Sequence, residues 1–236
     1  MKVEGLKWDS DFFNYKVGRL ILTEDAACSE VEQALNTASQ DVIYVMLPAK
    51  LNGRFAGSLD AVGAELMDRK QTYQKDLKPV LHQVNERIKL LEATEFTEKL
   101  ESLAWQSGKY SRFYLDKKFK PRFRDMYSTW LKKSLSGVMA DKVIVALDSF
   151  DRMLGFVTLK KDDLTGVIGL IAVDEIARGK GVGKLLVTEA DKIYLNWGLE
   201  KASVITQGTN LAACSLYEKM GYSLEEEQYI YHYWKK

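Results

Sequence analysis

A glycine-rich stretch joins a buried-type strand to an amphipathic helix in the last third of the chain. Residues 170–173 form the apolar end of the strand, and the stretch from Arg178 to Lys184 follows after four intervening residues. A glycine-rich turn at this point exposes backbone N–H groups at the positive end of the helix, where an anion is stabilised. The sequence therefore predicts an anion-binding turn within an α/β framework. The helix carries Leu186, Ala190, Ile193 and Trp197 on one apolar face. Gly198 is predicted to end it as the C′ residue.

Two common phosphate-binding motifs do not fit this turn. A P-loop requires Gly-x-x-x-x-Gly-Lys followed by Ser or Thr, whereas Leu185 follows Lys184 and Arg178 stands five positions before Gly183. The dinucleotide fingerprint Gly-x-Gly-x-x-Gly would place its third glycine at Lys184. The pattern Arg-x-x-Gly-x-Gly is met by Arg178, Gly181 and Gly183, and an ordinary turn without a ligand is the alternative interpretation.

The first third of the chain predicts a smaller α/β lobe. Strand patterns occupy residues 15–23 and 41–48, and a helix is predicted over residues 29–40 with Ser29 as its N-cap. A short helix is predicted to end near Met67. Because the composition changes near Lys78-Pro79, we place the boundary between an N-terminal lobe, residues 1–82, and a second domain, residues 83–236.

The second domain predicts a strand at residues 87–91 and helices over residues 94–106 and 121–135. Three consecutive strand patterns follow at residues 142–147, 153–160 and 167–173, and their short polar connections predict an antiparallel meander. After the glycine-rich turn and its helix, the pattern predicts a strand at residues 202–206, a helix over residues 209–220 and two further strands.

Composition excludes several classes of protein. Lysine and arginine (34) nearly balance aspartate and glutamate (33), so the net charge gives no support for a nucleic-acid partner. No apolar run approaches the roughly 20 residues of a membrane span, which argues against membrane insertion. Glu4, Asp9 and Asp11 interrupt the N-terminus where a signal peptide would need an apolar region.

The cysteines and histidines are few. Cys28 and Cys214 cannot form a disulfide framework, so we expect reduced thiols and a cytoplasmic location. His82 and His232 are the two histidines, and no Cys-x-x-Cys or His-x-x-x-His spacing occurs. We therefore expect no metal site.

The Arg-x-x-Gly-x-Gly pattern after a strand resembles the coenzyme A pyrophosphate loop of the GNAT superfamily of N-acetyltransferases. Downstream, Asn210 and Tyr217 lie seven positions apart, about two turns and ~10.5 Å of helical rise, on one helix face. Residues 210–222 resemble the last conserved helix of the superfamily, where an asparagine contacts pantetheine and a tyrosine faces the thioester sulfur. The structural alternatives are that Asn210 caps the helix and Tyr217 is a core residue.

The resemblance implies an α/β (α+β) fold with a mixed, largely antiparallel sheet flanked by helices, and acetyl-CoA as co-substrate without a metal. It implies that Tyr217 is the general acid for the leaving thiolate and that the Ile171 N–H stabilises the oxyanion. It also implies a set of coenzyme-binding residues: Ile171, Ala172, Val173, Arg178, Gly179, Lys180, Gly181, Val182, Gly183, Lys184 and Asn210. A thiol titrates at about 8.5 and a tyrosine at about 10, so complete proton transfer costs ~2 kcal/mol. The transfer is therefore concerted with C–S cleavage, or the site lowers the pKa of the tyrosine.

Two further segments narrow the resemblance. Residues 6–13 (LKWDSDFF) and Ser111-Arg112-Phe113 are similar to segments of the GNAT enzymes that acetylate dTDP-4-amino-4,6-dideoxygalactose (dTDP-fucosamine) in polysaccharide biosynthesis. This similarity implies a nucleotide-linked amino sugar as acceptor, with Arg112 on the diphosphate and Phe113 or Tyr114 stacked on a base or sugar. The alternatives are another small amine or peptide α-amine, or a non-catalytic acyl-CoA-binding module.

The sequence leaves several questions open. It does not fix the sugar, the nucleotide or the acyl length, and it leaves the oligomeric state open, with a homodimer as one option. The general base is equally open. The candidates are a chain of water molecules and four carboxylates: Asp116, Asp162, Asp163 and Glu175.

Overall fold

The computed structural model describes residues 1–79 and 87–235, which divide into two compact units. Unit 1 comprises Met1–Gln71, Gln207–Thr209 and Glu226–Lys236, and unit 2 comprises Thr72–Thr206 and Asn210–Glu225. The boundary predicted between residues 82 and 83 lies outside the described residues and stays a prediction.

The described residues contain ten strands and eight α-helices. The strands are β1 (Glu4–Gly5), β2 (Val17–Ile21), β3 (Val42–Pro48), β4 (Glu65–Asp76), β5 (Lys89–Glu92), β6 (Lys142–Leu147), β7 (Met153–Asp162), β8 (Thr165–Val173), β9 (Lys201–Gln207) and β10 (Ser223–Trp234). The helices are α1 (Lys7–Phe13), α2 (Cys28–Thr37), α3 (Ala49–Ala61), α4 (Glu98–Ser107), α5 (Arg112–Leu115), α6 (Phe123–Leu135), α7 (Val182–Asn196) and α8 (Leu211–Lys219).

Unit 1 is a small α/β layer. Strand β2 pairs antiparallel with β1 and parallel with β3, and β3 pairs antiparallel with the last half of β10 from Gln228 to Trp234. The helices α2 and α3 bury Leu35 and Phe55 against apolar side chains of β3, including Val45. Burying such large side chains stabilises the fold by about 1.5–3 kcal/mol each, which is why the apolar run of β3 lies inside the unit.

Three local predictions were wrong. Helix α2 begins at Cys28 with Ala27 as N-cap, so Ser29 lies inside the helix, and the Ala27 N–H donates to the Glu30 carboxylate at 3.0 Å. The helix predicted to end near Met67 ends at Ala61, and Gly63 at φ +84° leads the chain into β4, which contains Met67. The two terminal strand patterns form one strand, β10.

Unit 2 contains the predicted meander. Strands β5, β6, β7 and β8 pair antiparallel in sequence order, and β9 pairs parallel with β8. The fold prediction of a mixed, largely antiparallel sheet flanked by helices is therefore confirmed. The helix α7 buries its apolar face, including Leu186 and Ala190, against β7 and β8. This packing fixes the start of α7 at the end of β8, where the glycine-rich turn lies.

Candidate active site

A groove of about 560 Å³ lies in unit 2, within the roughly 300–1,000 Å³ range of small-molecule sites. Four segments line it: the last turn of α4 with Tyr110, the end of β8, the glycine-rich turn, and residues 210–219 of α8 with its N-cap. The predicted coenzyme-binding residues line this groove with the exception of Lys180.

The groove opens where β8 and β9 separate. The two strands pair from Thr165 with Lys201 to Ile168 with Val204, whereas β8 continues to Val173. On the other edge of β8, the Leu170 N–H donates to the Thr158 hydroxyl at 2.7 Å, and the Asp174 N–H donates to the Leu154 carbonyl at 2.8 Å. Because backbone direction alternates along a strand, the N–H and C=O groups of Ile171 and Val173 point away from β7, into the separation.

A β-bulge sets this register. Val157 pairs with Ile171 but Leu159 pairs with Ile168, so Gly169 and Leu170 both lie opposite Thr158. A Cβ atom on Gly169 would lie 2.8 Å from the Thr158 hydroxyl oxygen, so a larger residue would collide there. Sequence reasoning missed Thr158, although a glycine inside an apolar strand run is itself a signal of a bulge.

The glycine-rich turn has the backbone conformation of an anion site. Gly179 and Gly181 have φ values of +73° and +81°, in the region that favours glycine, and Gly181 is the N-cap of α7. The Leu185 N–H donates to the Gly181 carbonyl at 3.0 Å. The amides of residues 182–184 precede that bond at the helix N-terminus, where N–H groups have no intrahelical acceptor. These amides can therefore hold an anion.

Asp174 holds the start of this turn. It is buried, its carboxylate accepts the Ile176 N–H at 3.0 Å, and it forms an ion pair with Lys99 of α4. The hydrogen bond from Lys99 lowers the pKa of Asp174 below its usual value, against the opposing effect of burial. Beyond it, the exposed Arg178 lies 3.6 Å from Glu175. Asp174 thereby fixes the segment that leads from β8 into the turn.

Asn210 and Tyr217 lie on the groove side of α8. Asn210 is the helix N-cap, and its side-chain oxygen accepts the Ala213 N–H at 3.3 Å, so the capping alternative is correct. The amide nitrogen of the same side chain is a donor on a groove-lining residue. One residue can therefore cap the helix and contact a ligand.

Tyr217 is buried, with 2% of its surface exposed. Burial, with a smaller effect from the nearby Cys214, raises the pKa of Tyr217 above its usual value. The described surroundings of Tyr217 therefore raise this pKa rather than lower it. The ring of Tyr73 from β4 lies 6.0 Å from that of Tyr217, and the Tyr73 hydroxyl donates to Glu218 at 3.2 Å. Sequence reasoning missed Tyr73, because the mixed polar pattern of β4 gave no strand signal.

The last turn of α4 contributes an unpartnered acceptor. Gln106 lines the groove, and its buried Oε1 atom has no hydrogen-bond partner among the described residues. The neighbouring Ser107 hydroxyl donates to the Ala104 carbonyl at 2.7 Å, and Tyr110 is partly exposed. Gln106 is therefore a candidate contact for an N–H or O–H group of a ligand, and no motif in the sequence singled it out.

The three predicted acceptor residues lie elsewhere in unit 2. Arg112, Phe113 and Tyr114 belong to the short helix α5 and do not line the groove. The Arg112 guanidinium lies 4.4 Å from the Phe113 ring centre, and the Tyr114 ring packs edge-on against Phe123. Their function as substrate contacts stays a prediction.

None of the four carboxylates considered as general base lines the groove. Asp116 is buried and accepts the Lys118 N–H at 2.8 Å, while Glu175 lies 3.8 Å from Lys109. Asp162 ends β7, and Asp163 takes a φ of +49° in the turn that follows. Each has a structural explanation that requires no proton transfer.

Residues 1–79 and 87–235 contain no cluster of three or more His, Cys, Asp or Glu side chains arranged to hold a metal ion. None of the helices within these ranges combines the length and the apolar character that a membrane crossing requires. Neither Cys28 nor Cys214 forms a disulfide bond.

The sequence profile of the acetyltransferase (GNAT) family matches residues 99–222, which is more than half of the chain. The chain belongs to this family. The matched range contains the groove, the glycine-rich turn and Tyr217.

Three curated relatives resemble parts of the chain. A mycothiol acetyltransferase from Actinosynnema mirum is 34% identical over 39% of this chain and 32% of its own length. The N-alpha-acetyltransferase 30 of Schizosaccharomyces pombe is 32% identical over 37% of this chain and 61% of its own. The spore coat polysaccharide biosynthesis protein SpsD of Bacillus subtilis is 27% identical over 58% of this chain and 47% of its own. The chain thus spans less than two thirds of each relative.

Solved structures share the fold. A functionally unknown conserved protein from Staphylococcus epidermidis gives a TM-score of 0.59 at 14% identity, covering 93% of this chain and 84% of its own. The PaiA N-acetyltransferase of Thermoplasma acidophilum, solved in complex with coenzyme A, gives a TM-score of 0.50 at 20% identity over 63% of this chain and 99% of its own. At these identities the likeness concerns the fold alone.

Proposed function

We propose that the protein is an acetyl-CoA-dependent N-acetyltransferase that transfers the acetyl group directly to an amine within a ternary complex. The observation that carries the proposal is the groove itself. It combines the free backbone edge of β8, an anion-binding turn at the start of α7, and a buried tyrosine hydroxyl on α8. Membership of the GNAT family supports the same activity.

The backbone supplies the binding groups. The amides of residues 182–184 hold the diphosphate, and Gly179 and Gly181 give the turn the conformation that permits this. Exposed cations at Arg178 and Lys184 add charge at the same turn. The outward N–H and C=O groups of Ile171 and Val173 pair with the pantetheine arm, and Asn210 contributes its amide donor.

Acetyl-coenzyme A supplies a thioester whose carbonyl carbon accepts the amine. The Ile171 N–H donates to that carbonyl oxygen and stabilises the negative charge that develops there. Holding both reactants in one groove removes much of the entropic cost of their meeting. The bulge at Thr158 keeps the Ile171 N–H aimed into the groove.

In this proposal Tyr217 is the general acid that protonates the leaving thiolate. Burial raises the pKa of Tyr217, so the hydroxyl stays protonated at neutral pH, as a general acid must. The same burial makes a free phenolate costly. We therefore propose that proton donation is concerted with cleavage of the C–S bond.

The amine loses its proton to solvent in this proposal. The four candidate carboxylates do not line the groove, and the groove is open enough to admit water next to Tyr110, which is 44% exposed. Water is therefore favoured over a fixed general base.

For the acceptor, we propose the amine of a nucleotide-linked amino sugar of the dTDP-4-amino-4,6-dideoxyhexose type. The resemblance of residues 6–13 and 111–113 supports it, and so does the relative named for polysaccharide biosynthesis. In this proposal, Arg112, Phe113 and Tyr114 contact the nucleotide. A peptide α-amine or another small amine is the second candidate, because a relative named as an N-alpha-acetyltransferase matches 37% of the chain.

The test is a thiol-release assay with acetyl-CoA, preceded by calorimetric titration with coenzyme A. The acceptor panel contains dTDP- and UDP-linked 4-amino and 3-amino sugars and peptides with a free α-amine. We expect thiol release with a nucleotide-linked sugar. Turnover of the peptides alone would replace the sugar by a peptide acceptor. Binding of coenzyme A without release by any acceptor would favour a non-catalytic module, and no binding would refute the proposal.

A further inference from the structure

Two tyrosine rings outside the groove lining pack against Tyr217. The ring centre of Tyr73 lies 6.0 Å from that of Tyr217, and the ring centre of Tyr222 lies 5.8 Å from it. Both rings are buried, and neither residue lines the groove. Because protein interiors are closely packed, a buried ring can turn only as far as its neighbours allow. The direction of the Tyr217 hydroxyl therefore depends on these two rings as well as on α8.

A hydrogen bond to α8 holds the ring of Tyr73. Tyr73 lies on β4, and its hydroxyl donates to the Glu218 carboxylate at 3.2 Å. Glu218 follows Tyr217 directly, so this bond ties the Tyr73 ring to the helical turn that carries Tyr217. Burial, together with Cys214 and Glu218, raises the pKa of Tyr73 above its usual value. The Tyr73 hydroxyl therefore keeps its proton and remains a donor at neutral pH.

Lys75 holds the end of the same helix. It follows Tyr73 by two positions on β4, and side chains at this spacing lie on one face of a strand. The Lys75 ammonium donates to the Met220 carbonyl at 3.0 Å and to Asp191 of α7 at 2.5 Å. Met220 is the C-cap of α8, where carbonyls lack an intrahelical donor and a cation is stabilised. Lys75 therefore joins the last turn of α8 to α7.

The backbone of Tyr217 belongs to the helix end that Lys75 holds. The Tyr222 N–H donates to the Tyr217 carbonyl at 3.0 Å, and the Gly221 N–H donates to the Glu218 carbonyl at 3.0 Å. Gly221 has a φ of +83°, which completes a Schellman motif. The carbonyl that Lys75 binds lies one residue before this glycine. A shift of the helix end would therefore move Tyr217 with it.

Proton donation requires an accurate position of the donor, because a displacement of about 1 Å can cost about 10²-fold in rate. We propose that Tyr73 and Lys75 are positioning residues for Tyr217. Tyr73 sets the direction of the Tyr217 ring, and Lys75 fixes the helix end that carries its backbone. The inference rests on the proposed function, in which the Tyr217 hydroxyl protonates the leaving thiolate. Neither Tyr73 nor Lys75 lines the groove, so the affinity for acetyl-CoA should not depend on them.

The first experiment measures turnover with a dTDP-linked 4-amino sugar and acetyl-CoA binding by calorimetry. Tyr73→Leu removes the ring, and we expect turnover about tenfold lower with an acetyl-CoA dissociation constant within about twofold of the wild-type value. Tyr73→Phe keeps the ring and should lose at most about threefold in turnover. Tyr231→Leu is the matched control: Tyr231 is 2% exposed, donates to Asn52 at 2.7 Å within unit 1, and should keep wild-type turnover when replaced.

A double-mutant cycle tests whether Tyr73 acts through the Tyr217 hydroxyl. In the Tyr217→Phe background there is no hydroxyl to position, so Tyr73→Leu should lower turnover no further. A ring that supports the groove in general would lower turnover by the same factor in both backgrounds. That result would refute the role of Tyr73 as a positioning residue.

Lys75 needs a variant that keeps its stability. Lys75→Met combined with Asp191→Leu removes both buried charges, which limits the loss of stability, but it leaves the Met220 carbonyl without its ammonium. We expect turnover at least about fivefold below the wild-type value, with acetyl-CoA affinity within about twofold. Wild-type turnover in this stable double variant would refute the role of Lys75.

The outcomes separate this inference from the proposed function. Wild-type turnover in Tyr73→Leu, together with a large loss in Tyr217→Phe, would refute positioning by Tyr73 and leave the acetyltransferase proposal intact. An absence of turnover by the wild-type protein with every acceptor of the thiol-release panel would refute both.

Discussion

The hydroxyl of Tyr217 lies in surroundings that disfavour its anion. Tyr217→Phe removes one oxygen from a buried ring and leaves the packing in place. We expect turnover to fall by about 10²-fold or more while the dissociation constant of acetyl-CoA stays unchanged, because the hydroxyl acts on the leaving thiolate. Steady-state kinetics and calorimetry measure the two quantities separately.

Tyr222→Phe is the matched control for that prediction. Tyr222 is also buried, but its hydroxyl lies 3.4 Å from Asp191. Removal of the Tyr222 hydroxyl should lower the free energy of unfolding and leave turnover near the wild-type value. The pH profile adds a second check. Because burial raises the pKa of Tyr217, its ionisation should cause no loss of activity below pH ~10. Equal turnover of Tyr217→Phe and wild-type protein would remove Tyr217 from the mechanism.

The ionised carboxylate of Asp174 is expected to stabilise the folded protein at the start of the turn. The hydrogen bond from Lys99 lowers its pKa, so its ionised form stabilises the folded protein above the unfolded pKa of ~3.9. Asp174→Asn keeps an acceptor for the Ile176 N–H and removes the charge. We expect a loss on the order of 1 kcal/mol that stays constant from pH 8 to 5, begins to shrink below ~4 and is gone once the pH has fallen through the lowered pKa of folded Asp174.

Urea unfolding at pH 7, 5 and 3.5 measures this dependence. Asp151→Asn, at an exposed carboxylate 3.4 Å from Lys89, should unfold like the wild-type protein at each pH. A stability difference for Asp174→Asn that persists unchanged at the lowest pH would show that the charge is not its source.

At the scale of single residues, the sequence was informative where a short motif determines the backbone. Gly179 and Gly181 adopt positive φ, the conformation that glycine favours, so the backbone of this turn could be predicted. Arg112 was predicted to contact the acceptor from a short similarity; it lies in α5 against Phe113, and its function as a substrate contact stays a prediction. The position of such a side chain depends on how α5 packs, which no local pattern encodes. Gln106 could not be found at all, because only tertiary packing leaves its Oε1 atom without a partner.

The β-bulge in β8 sets which backbone groups of this strand face the groove. Thr158→Val keeps the shape of the side chain but removes the acceptor of the Leu170 N–H, which is then buried without a partner. We expect a loss of about 1–3 kcal/mol in unfolding free energy. We also expect weaker binding of coenzyme A, since the bulge aims the Ile171 N–H into the groove. Thermal unfolding and calorimetry test both effects.

Thr158→Ser keeps the hydroxyl and loses one methyl group, so it separates the hydrogen bond from packing. It should lose about 1 kcal/mol of stability and retain the wild-type affinity for coenzyme A. If Thr158→Val and Thr158→Ser reduced the affinity for coenzyme A equally, the Thr158 hydroxyl would not control the register of β8 against β7.

At the scale of elements, strands with short polar connections were predictable and strands with mixed patterns were not. The meander of β6, β7 and β8 follows from three apolar runs with short links. Strand β4 carries polar or charged residues at most positions, and some of them, such as Asp68 and Gln71, are buried. Its sequence therefore lacks the alternation of apolar and polar residues that marks a strand. Strand β10 was divided in two because three consecutive glutamates, from Glu225, interrupt its pattern. Alternation of apolar and polar residues fails as a signal when polar groups lie inside.

At the scale of the whole molecule, compact units do not follow chain order. Unit 2 begins at Thr72, so Tyr73 and Lys75 of β4 belong to it, ahead of the predicted boundary after residue 82. Lys75 donates to Asp191 of α7 at 2.5 Å and to the Met220 carbonyl at 3.0 Å. These contacts join residues that are more than a hundred positions apart, and a pattern read along the chain does not encode them.

The ion pair between Lys75 and Asp191 joins β4 to α7, and its removal measures how much this contact stabilises the intact chain. The side chains are 12% and 4% exposed, so Lys75→Met leaves a carboxylate buried without its cation. We expect a loss of about 3–5 kcal/mol in unfolding free energy by urea titration, and recovery of most of it when Asp191→Leu is added. Lys89→Met, which breaks the exposed pair with Asp151, should cost at most about 1 kcal/mol.

The pH dependence of Lys75→Met distinguishes a buried charge from lost packing. Burial raises the pKa of Asp191 above its usual value, against the opposing effect of Lys75, and removal of the cation raises it further. A raised pKa means that the folded state binds the proton more tightly than the unfolded state does, so acid stabilises the variant relative to neutral pH. The loss should therefore be largest near pH 8 and should shrink towards pH 5. A loss that is independent of pH would mean that the side chain of Lys75 stabilises unit 2 by packing rather than by its charge.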